Sequence, residues 1–517
     1  MATTKVLFLL GIVLLTWSMI AESRDIGIGR SLLSDDEAMD DDVSSTLDSV
    51  GGAGSPDADP TSAGGGPDPA TLATKFGATG AVDASGVKVF DVTKFGAVGD
   101  DKKDSVNAIR GAWIAACKGN AKAKVLIPKG TFRAGPILFA GPCTAPKPII
   151  VEVQGTLKAN TDLSLYTDPE WVTFENIDGL VVQGTGVFNG QGPVNWKYND
   201  CKGKKSCAPL PANLRFFSVT NSVVKDITSL DSMYFHYHVH RCTNVTFTNI
   251  HITAPGNSPN TDGLHVSVSD RVNITNSVIA TGDDCVSIGH SSTNIGVSGV
   301  TCGPGHGISI GSLGKRPDEA SVSDITVRNC TFIKTTNGAR IKTWIGTKPG
   351  EAKNIIYEHL IMQDVQNPVI IDQSYGGKKD RTPSTSVWKI SNVHFRDIKG
   401  TTVSNLGVSL QCSSKNPCVG IEVTDVNLAF SGTSKEGPLA SSCVNAKATF
   451  GGKLSPPAWS ICVALALPSG QVPPTHTPFI FSITPLSLIL FLSSPPHTLI
   501  HTHTLALIEP LVHSSIQ

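Results

Sequence analysis

The sequence predicts an all-β protein, a right-handed parallel β-helix with an N-terminal capping helix. Glycine occurs 50 times in 517 residues and charged residues make up only 16%, a composition typical of a β-rich chain with many turns. Short strand-like segments recur every 22 to 32 residues over much of the chain. Asn-Gly signals for tight hairpins between these segments are largely absent, which disfavours an antiparallel sandwich.

The first residues predict export. Lys5 precedes the apolar run 6–20, and small residues at Ala21 and Ser23 suit cleavage by signal peptidase. We expect a signal peptide over 1–23, because the run is short and wrongly flanked for a membrane helix. An uncleaved anchor is the alternative.

Residues 24–86 are predicted to be a disordered acidic linker or a pro-segment. They contain 12 acids and 3 bases, with glycine clusters and few residues that could build a core. The whole chain has a formal net charge of −1, and Lys5 and Glu22 cancel, so the remainder carries +8. A basic exported domain suits an acidic polysaccharide outside the cell rather than nucleic acid.

The folded domain is predicted over 87–458. Residues 89–92 have strand character, and Asp104 precedes an amphipathic segment from Ser105 to Cys117 with apolar residues at helical spacing. Such a helix would cover an open end of the domain. The repeat itself, with no helical stretch inside it, indicates a solenoid of strands. Its recurring segments begin at Val223, Val245, Val272, Ile295, Ile325, Ile355 and Val387.

The tail 459–517 does not continue the repeat. Its one charged residue is Glu509, and it is rich in Pro, Leu, Ser, Thr and His. We expect an unstructured or aberrant segment. A hydrophobic anchor is the weaker alternative, because the apolar run 479–492 contains Pro485 and is short for a membrane span.

Four polar motifs lie on consecutive repeats. Asp262 precedes Asp284 by 22 residues, and Asp284 precedes His306 by 22 residues. Residues one turn apart in a β-helix stack about 4.8 Å from each other, so we expect these groups on one face. The motifs are Asn260-Thr261-Asp262-Gly263, Gly282-Asp283-Asp284-Cys285, Gly305-His306-Gly307 and Arg340-Ile341-Lys342.

The predicted cluster combines three carboxylates, one imidazole and two cations. Glycoside hydrolysis needs one carboxylic acid for the leaving oxygen and one carboxylate that acts on water or on the sugar. Like charges held this close cannot all ionise freely, so we expect one aspartate to keep its proton at mildly acidic pH. The fork of Arg340 and the point charge of Lys342 suit the carboxylate of an acidic sugar.

Each motif alone also has a structural explanation. Asp and Asn commonly form turns or ladders at strand ends, a histidine between glycines is commonly a loop residue, and Arg-x-Lys is commonly a solvated strand face. The pair Asp283-Asp284 could bind a cation, although hard-metal sites need more oxygen ligands. None of these explanations accounts for four motifs in phase on adjacent turns. We therefore predict that the four motifs act together as a functional site, and we expect no cofactor.

The ordered motifs resemble those of the polygalacturonases, glycoside hydrolase family 28, and most of all the plant pollen-type exopolygalacturonases. The resemblance extends from about Phe90 to Pro457 and includes the segments 91–100 and 305–312. It implies the pectin-lyase-like β-helix and an inverting hydrolase that needs no metal. By this resemblance, Asp283 would protonate the glycosidic oxygen, Asp262 and Asp284 would activate the attacking water, and His306 would tune the protonation of the acid.

The resemblance also implies four residues that hold the substrate. Arg340 and Lys342 would bind the sugar carboxylate. Tyr375 would contact a sugar ring, and Asn260 would orient the site.

The cysteines only partly follow the resemblance. Cys285 and Cys302 resemble a family disulfide beside the site. Related chains have a cysteine-containing loop at the position after Tyr375, where this chain has the sequence Gly-Gly-Lys-Lys. They also end in Pro-Pro-x-Cys, where this chain has Pro-Pro-Ala-Trp and no cysteine. Cys443 would therefore need another partner, such as Cys462. The remaining pairs are suggested by spacing and are Cys117–Cys143, Cys201–Cys207 and Cys412–Cys418.

We expect a secreted, monomeric enzyme of the cell wall that hydrolyses the α-1,4 bonds of pectin and polygalacturonate, with exo action favoured over endo. No stable membrane association is expected. Three acceptor triplets for N-glycosylation begin at Asn244, Asn273 and Asn329. The alternatives are a catalytically silent pectin-binding wall protein, a rhamnogalacturonan hydrolase and a calcium-dependent pectate lyase.

Overall fold

The computed structural model describes residues 80–199, 209–346, 348–377, 386–433, 438–457 and Cys462. The predicted signal peptide, nearly all of the linker and, apart from Cys462, the tail lie outside these residues, as does the suggested pair Cys201–Cys207. The described residues of the linker include a short strand that pairs antiparallel with the strand after it, and this strand precedes the predicted domain start at residue 87.

The described strands are numbered in chain order. The first half comprises β1 (Ala81–Val82), β2 (Lys88–Asp91), β3 (Asp100–Asp104), β4 (Ala123–Ile127), β5 (Thr131–Ala134), β6 (Ile137–Ala140), β7 (Ile149–Val153), β8 (Thr156–Ala159), β9 (Glu170–Glu175), β10 (Leu180–Gln183), β11 (Val187–Asn189), β12 (Ala212–Phe217), β13 (Thr220–Lys225), β14 (Thr228–Leu230), β15 (Tyr237–His240), β16 (Thr243–Thr248) and β17 (His251–Thr253).

The second half comprises β18 (Leu264–Ser267), β19 (Asp270–Thr275), β20 (Val278–Ala280), β21 (Val286–Ile288), β22 (Thr293–Ser298), β23 (Thr301–Cys302), β24 (Ile308–Leu313), β25 (Val322–Arg328), β26 (Thr331–Ile333), β27 (Asn337–Trp344), β28 (Glu351–Val365), β29 (Asn367–Tyr375), β30 (Lys389–Thr402), β31 (Leu406–Gln411), β32 (Cys418–Phe430), β33 (Ala440–Val444) and β34 (Ala446–Gly451).

The strands form parallel columns, as expected for a chain that coils. Two columns begin at β2 and β3 and merge where the long strands β28, β30 and β32 run across both. A third column runs from β6 to β33 as a separate sheet. Every pairing between successive turns is parallel within the described residues, and the antiparallel pair β1–β2 lies at the start. The predicted parallel β-helix is confirmed.

The core lies inside the coil because each strand alternates inward apolar and outward polar residues. Phe247, Ile274 and Val297 occupy one register position on β16, β19 and β22, and all three are fully buried. Stacking of this kind repeats from turn to turn, so each turn covers the apolar face of its neighbour. The sequence period predicted this core.

A helix covers the N-terminal end, as predicted. Helix α1 spans Val106–Cys117, and its buried face includes Ile109 and Trp113. The side chain of Asp104 accepts a hydrogen bond from the backbone N–H of Val106 at 2.8 Å. The indole of Trp113 donates to the carbonyl of Ala140 on β6 at 3.0 Å, which ties the helix to the third column of strands.

The remaining helical segments are short. No helix among the described residues is both long and apolar enough to cross a membrane. The other segments are helix α2 (Gly192–Asn195) and the 3-10 turns Val92–Phe95, Leu163–Leu165 and Trp196–Tyr198.

Disulfides tie several turns of the described chain. The pair Cys285–Cys302 links the loop before β21 to β23 and confirms the bridge implied by the resemblance. Cys443 pairs with Cys462, so the expected substitute partner is confirmed. The pairs suggested by spacing that the structure also contains are Cys117–Cys143 and Cys412–Cys418.

Candidate active site

Three neighbouring loops place the predicted acidic and imidazole groups together, at the start of strands in the third column. Asp262 lies just before β18, the pair Asp283-Asp284 just before β21, and His306 just before β24. Backbone hydrogen bonds join these loops as a continuation of the ladder. The N–H of Gly263 donates to the carbonyl of Asp284 at 2.9 Å, and the N–H of His306 donates to the carbonyl of Asp283 at 2.8 Å.

Asp283 and His306 form the most solvent-accessible pair of this group. His306 Nδ1 lies 2.8 Å from Asp283 Oδ1, and the two side chains are 10% and 6% exposed. The backbone N–H of Asp284 donates to the same Oδ1 at 2.7 Å, and Asn260 Nδ2 donates to Oδ2 at 3.2 Å. Asn199 Nδ2 in turn donates to Asn260 Oδ1 at 2.9 Å. Asn260 therefore contacts Asp283, and its role in orienting the site stays a prediction.

Glycine is required on both sides of His306. Gly307 has φ of +96°, and a Cβ there would lie 2.1 Å from the carbonyl oxygen of Asn337. A Cβ on Gly305 would lie 2.9 Å from the carbonyl oxygen of Asp283. The backbone on either side of the imidazole approaches neighbouring turns too closely for a side chain, which explains the Gly-His-Gly motif.

Asp284 is fully buried and is held by hydroxyl and cationic donors. Ser309 Oγ donates to its Oδ1 at 2.7 Å. Arg340 Nη2 lies 3.0 Å from Oδ1 and 3.3 Å from Oδ2, and Lys342 Nζ lies 3.1 Å from Oδ2. A carboxylate removed from water needs such partners, and the two cations favour its ionised form.

Asp262 is held differently. Ser287 Oγ donates to Asp262 Oδ2 at 2.7 Å, and His265 Nδ1 lies 2.8 Å from the same hydroxyl oxygen. All three side chains are at most 4% exposed. The carboxylates are thus surrounded by hydroxyl, amide, imidazole and cationic groups, and the predicted acidic cluster is polar although it is largely closed to solvent.

The predicted substrate-binding residues lie beside this cluster, with their charges already paired. The sequence predicted that Arg340 and Lys342 would bind a carboxylate of the substrate, and the structure shows both paired with Asp284. Lys342 Nζ also lies 5.0 Å from the ring centre of Tyr375, which is 3% exposed. Contact of these three residues with a sugar stays a prediction.

The serines of the site and one further carboxylate were not predicted from the sequence. A signal was present, because Ser287 follows Asp262 by 25 residues and Ser309 follows Asp284 by 25 residues. Asp372 lies in register with Lys342 on the next turn. Burial raises the pKa of Asp372, and the charges of Arg340 and Lys342 oppose that rise.

Side-chain atoms of Asp283, Asp284 and His306 that could ligate a metal lie within 4.8 Å of one another. This spacing is compatible with cation binding, which is the alternative explanation given above for Asp283 and Asp284. Two positive side chains already contact Asp284, which disfavours a divalent cation at the same carboxylate.

Known proteins are similar in sequence to most of this chain and match it over most of their own length. The sequence profile of the Glycosyl hydrolases family 28 matches residues 117–451. An exopolygalacturonase of Arabidopsis thaliana is 46% identical over 384 residues, which cover 73% of this chain and 89% of the relative. An exopolygalacturonase of Platanus acerifolia is 44% identical over 377 residues, covering 72% and 98%.

Solved structures share the fold. An endo-xylogalacturonan hydrolase of Aspergillus tubingensis superposes with a TM-score of 0.60 at 24% identity, over 70% of this chain and 99% of that chain. An exopolygalacturonase of Thermotoga maritima gives 0.57 at 17% identity, over 74% and 94%. Because the family profile spans more than half of the sequence and the plant relatives match across most of their own length, the chain belongs to glycosyl hydrolase family 28.

Proposed function

We propose that the chain is a secreted polygalacturonase that hydrolyses α-1,4-galacturonosidic bonds by an inverting acid/base mechanism without a metal. The observation that carries the proposal is that Asp283 and Asp284, adjacent residues of one loop, have different partners. Asp283 contacts His306, and Asp284 contacts two cations. This arrangement holds two neighbouring carboxyl groups in different surroundings, as acid and base catalysis requires.

Asp283 has the role of general acid. Its carboxyl is the more exposed of the adjacent pair and contacts His306, so it can reach a glycosidic oxygen and exchange its proton. In the reaction the bond from the anomeric carbon to the leaving oxygen breaks, and the proton of Asp283 goes to that oxygen. The oxygen of water bonds to the anomeric carbon from the other side.

Asp262 and Asp284 act on the attacking water. Each accepts a hydrogen bond from a serine hydroxyl, which fixes one carboxylate oxygen and favours the charged form. The proton released by the water goes to this pair of carboxylates. Solvent then returns a proton to Asp283 and removes one from the base before the next turnover.

The substrate is an acidic polymer of galacturonate, and the release of monomers from chain ends is favoured. Support comes from the plant relatives, which are exopolygalacturonases, and from the net charge of +8 outside the first 86 residues. Arg340, Lys342 and Tyr375 are proposed to contact the sugar carboxylate after local rearrangement, and Asn260 to orient the acid. In this proposal the sugar carboxylate competes with Asp284 for Arg340 and Lys342.

The protein acts outside the cell, in the cell wall, as a monomer. Several disulfides are typical of exported proteins, and the predicted signal peptide over 1–23 gives the route. The two buried thiols, Cys242 and Cys330, remain reduced among the described cysteines.

Timed digestion of polygalacturonate by the unsubstituted protein and by Asp283→Asn tests the proposal. We expect galacturonate monomers from the first, and no new reducing ends from the second with its thermal stability retained. Asp226→Asn is the matched control, because Asp226 is an exposed ladder residue that accepts from Asn249 at 2.7 Å. It should keep full activity.

The products distinguish the alternatives. Mixed oligomers would indicate endo action, and products that absorb in the ultraviolet would indicate a lyase. Cleavage of rhamnogalacturonan alone would indicate the related hydrolase, and binding of pectin without cleavage would indicate a silent wall protein. Full activity of Asp283→Asn would refute the assignment of the acid.

A further inference from the structure

One column of outward-facing side chains crosses the candidate active site. His265, Ser287, Ser309 and Arg340 occupy the same register position on β18, β21, β24 and β27. The two inner members are serines, and each donates its hydroxyl proton to a different aspartate. The two outer members are His265, which has ring nitrogens, and Arg340, which has guanidinium N–H groups.

The direction of these hydrogen bonds follows from the number of protons on each serine. A hydroxyl has one proton to donate. Ser309 gives its proton to Asp284, so it accepts the N–H of Arg340 Nε at 2.9 Å. Ser287 likewise gives its proton to Asp262 at 2.7 Å. Its oxygen must then accept from His265 Nδ1 at 2.8 Å, which places a proton on that nitrogen.

We propose that Ser287 and His265 are positioning residues of the hydrolytic reaction, and that they hold the ionised carboxylate of Asp262 against the attacking water. The inference rests on the proposed function. The hydrogen-bond chain from His265 through Ser287 to Asp262 matches the chain from Arg340 through Ser309 to Asp284. In each chain, a serine held by a nitrogen donor gives its hydroxyl proton to one of the two proposed base carboxylates. In this proposal both buried residues act through Asp262 and not on the sugar directly.

The ring of His265 is itself held in place. It stacks on Phe235 with ring centres 4.8 Å apart and planes 16° apart, and both side chains are almost fully buried. The ring of His238 also packs nearby, with its centre 5.8 Å from that of His265 and 5.9 Å from that of Phe235. A packed ring keeps its N–H aimed at Ser287, and a buried, oriented donor costs little reorganisation during the reaction.

A kinetic series tests the proposal in the full-length enzyme. Ser287→Ala and His265→Phe remove the hydroxyl or the N–H. We expect kcat on polygalacturonate to fall roughly 10- to 100-fold, by analogy with the loss when an outer partner of a metal ligand is removed. KM should stay within about threefold, because no substrate contact is lost. His265→Asn restores a donor near the position of Nδ1 and should recover most of kcat.

The matched control is His240→Phe. His240 Nδ1 lies 2.9 Å from Ser267 Oγ, the same pairing as His265 with Ser287, and His240 lies on β15, which carries none of the proposed catalytic or substrate-binding residues. We expect kcat within about twofold of the parent. Equal losses in His265→Phe, His265→Asn and His240→Phe would mean that packing alone matters, and unchanged kcat in Ser287→Ala would overturn the proposal.

A second measurement does not depend on activity. Histidine-selective 15N NMR, assigned with His265→Asn, should show a protonated Nδ1 on His265 and a shifted signal in Ser287→Ala. An unprotonated Nδ1 in the parent protein would overturn the hydrogen-bond chain even if the enzyme is active. Absence of hydrolysis by the parent would instead remove the proposed function, while the NMR result would still decide the direction of the chain.

Discussion

Lys342 Nζ lies 3.1 Å from Asp284 Oδ2, and neither side chain is exposed to solvent. A cation buried in this way is required by the carboxylate beside it, whatever it also does for a substrate. Loss of one partner of a buried ion pair leaves a charge without compensation, at a cost of about 3 to 5 kcal/mol. We therefore expect Lys342 to contribute both to the stability of the fold and to the charge state of Asp284.

Lys342→Met should lower the free energy of unfolding by about 3 kcal/mol and lower kcat together with substrate affinity, because Asp284 loses a donor. Urea unfolding and steady-state kinetics on polygalacturonate measure the two effects. Lys353→Met is the control, since Lys353 pairs with Glu351 at 2.9 Å on an exposed strand face and should cost less than about 1 kcal/mol. Unchanged stability with a raised KM would limit Lys342 to binding.

Arg340→Lys should reduce kcat although it keeps the charge. Arginine reaches both Ser309 and Asp284 through separate nitrogens, and a lysine ammonium cannot reproduce that fork. We expect a loss of roughly 10-fold or more in kcat/KM, from the removal of an oriented charged donor. Arg396→Lys, at the half-exposed pair with Glu422, should leave the kinetics unchanged. Equal activity of Arg340→Lys and the parent would show that charge suffices.

The coil was predictable from sequence, since buried residues such as Phe247 and Ile274 recur with the period of the turn. The contact between His306 and Asp283 was not, because the 22-residue spacing aligns His306 with Asp284 and the loop geometry decides which neighbour the ring touches.

The pairing of Asp284 with two cations was equally hidden. It joins residues 56 and 58 positions apart, and no periodic signal marks a contact between a loop and a later strand. The residue types at the site could be listed from the motifs, but the partners of each could not.

Chelation should leave the rate unchanged. Asp283, Asp284 and His306 have metal-ligating atoms close together, but Asp284 already contacts Arg340 and Lys342, so a divalent cation would meet two positive charges. Polygalacturonate hydrolysis should therefore proceed equally with and without EDTA, after dialysis against the chelator. A loss of rate that calcium or manganese restores would contradict the metal-free mechanism.

A buried carboxyl on β9, outside the loops that carry the proposed catalytic residues, is expected to make stability depend on pH. Glu170 begins β9, is 4% exposed, and has Oε1 3.0 Å from His238 Nδ1 and 3.7 Å from Arg215 Nε. Burial raises the pKa of Glu170 to about 8, with the charge of Arg215 opposing and that of Asp168 adding to the rise. In the unfolded chain the same carboxyl titrates near its ordinary value of 4.5.

Glu170→Gln should flatten the loss of stability at rising pH. Between pH 4.5 and 8 the folded protein holds a proton on Glu170 that the unfolded chain has released, so stability falls as pH rises, by up to about 1.4 kcal/mol per pH unit. The amide has no proton to lose, and the melting temperature of the variant should decline less from pH 5 to pH 8. Glu422→Gln is the control, because hydrogen bonds from Arg396 and His394 lower the pKa of Glu422 to about 2 and its stabilisation is lost only below pH 4.5. An equal decline of the melting temperature with pH in Glu170→Gln and the parent would exclude Glu170 as the cause of that decline.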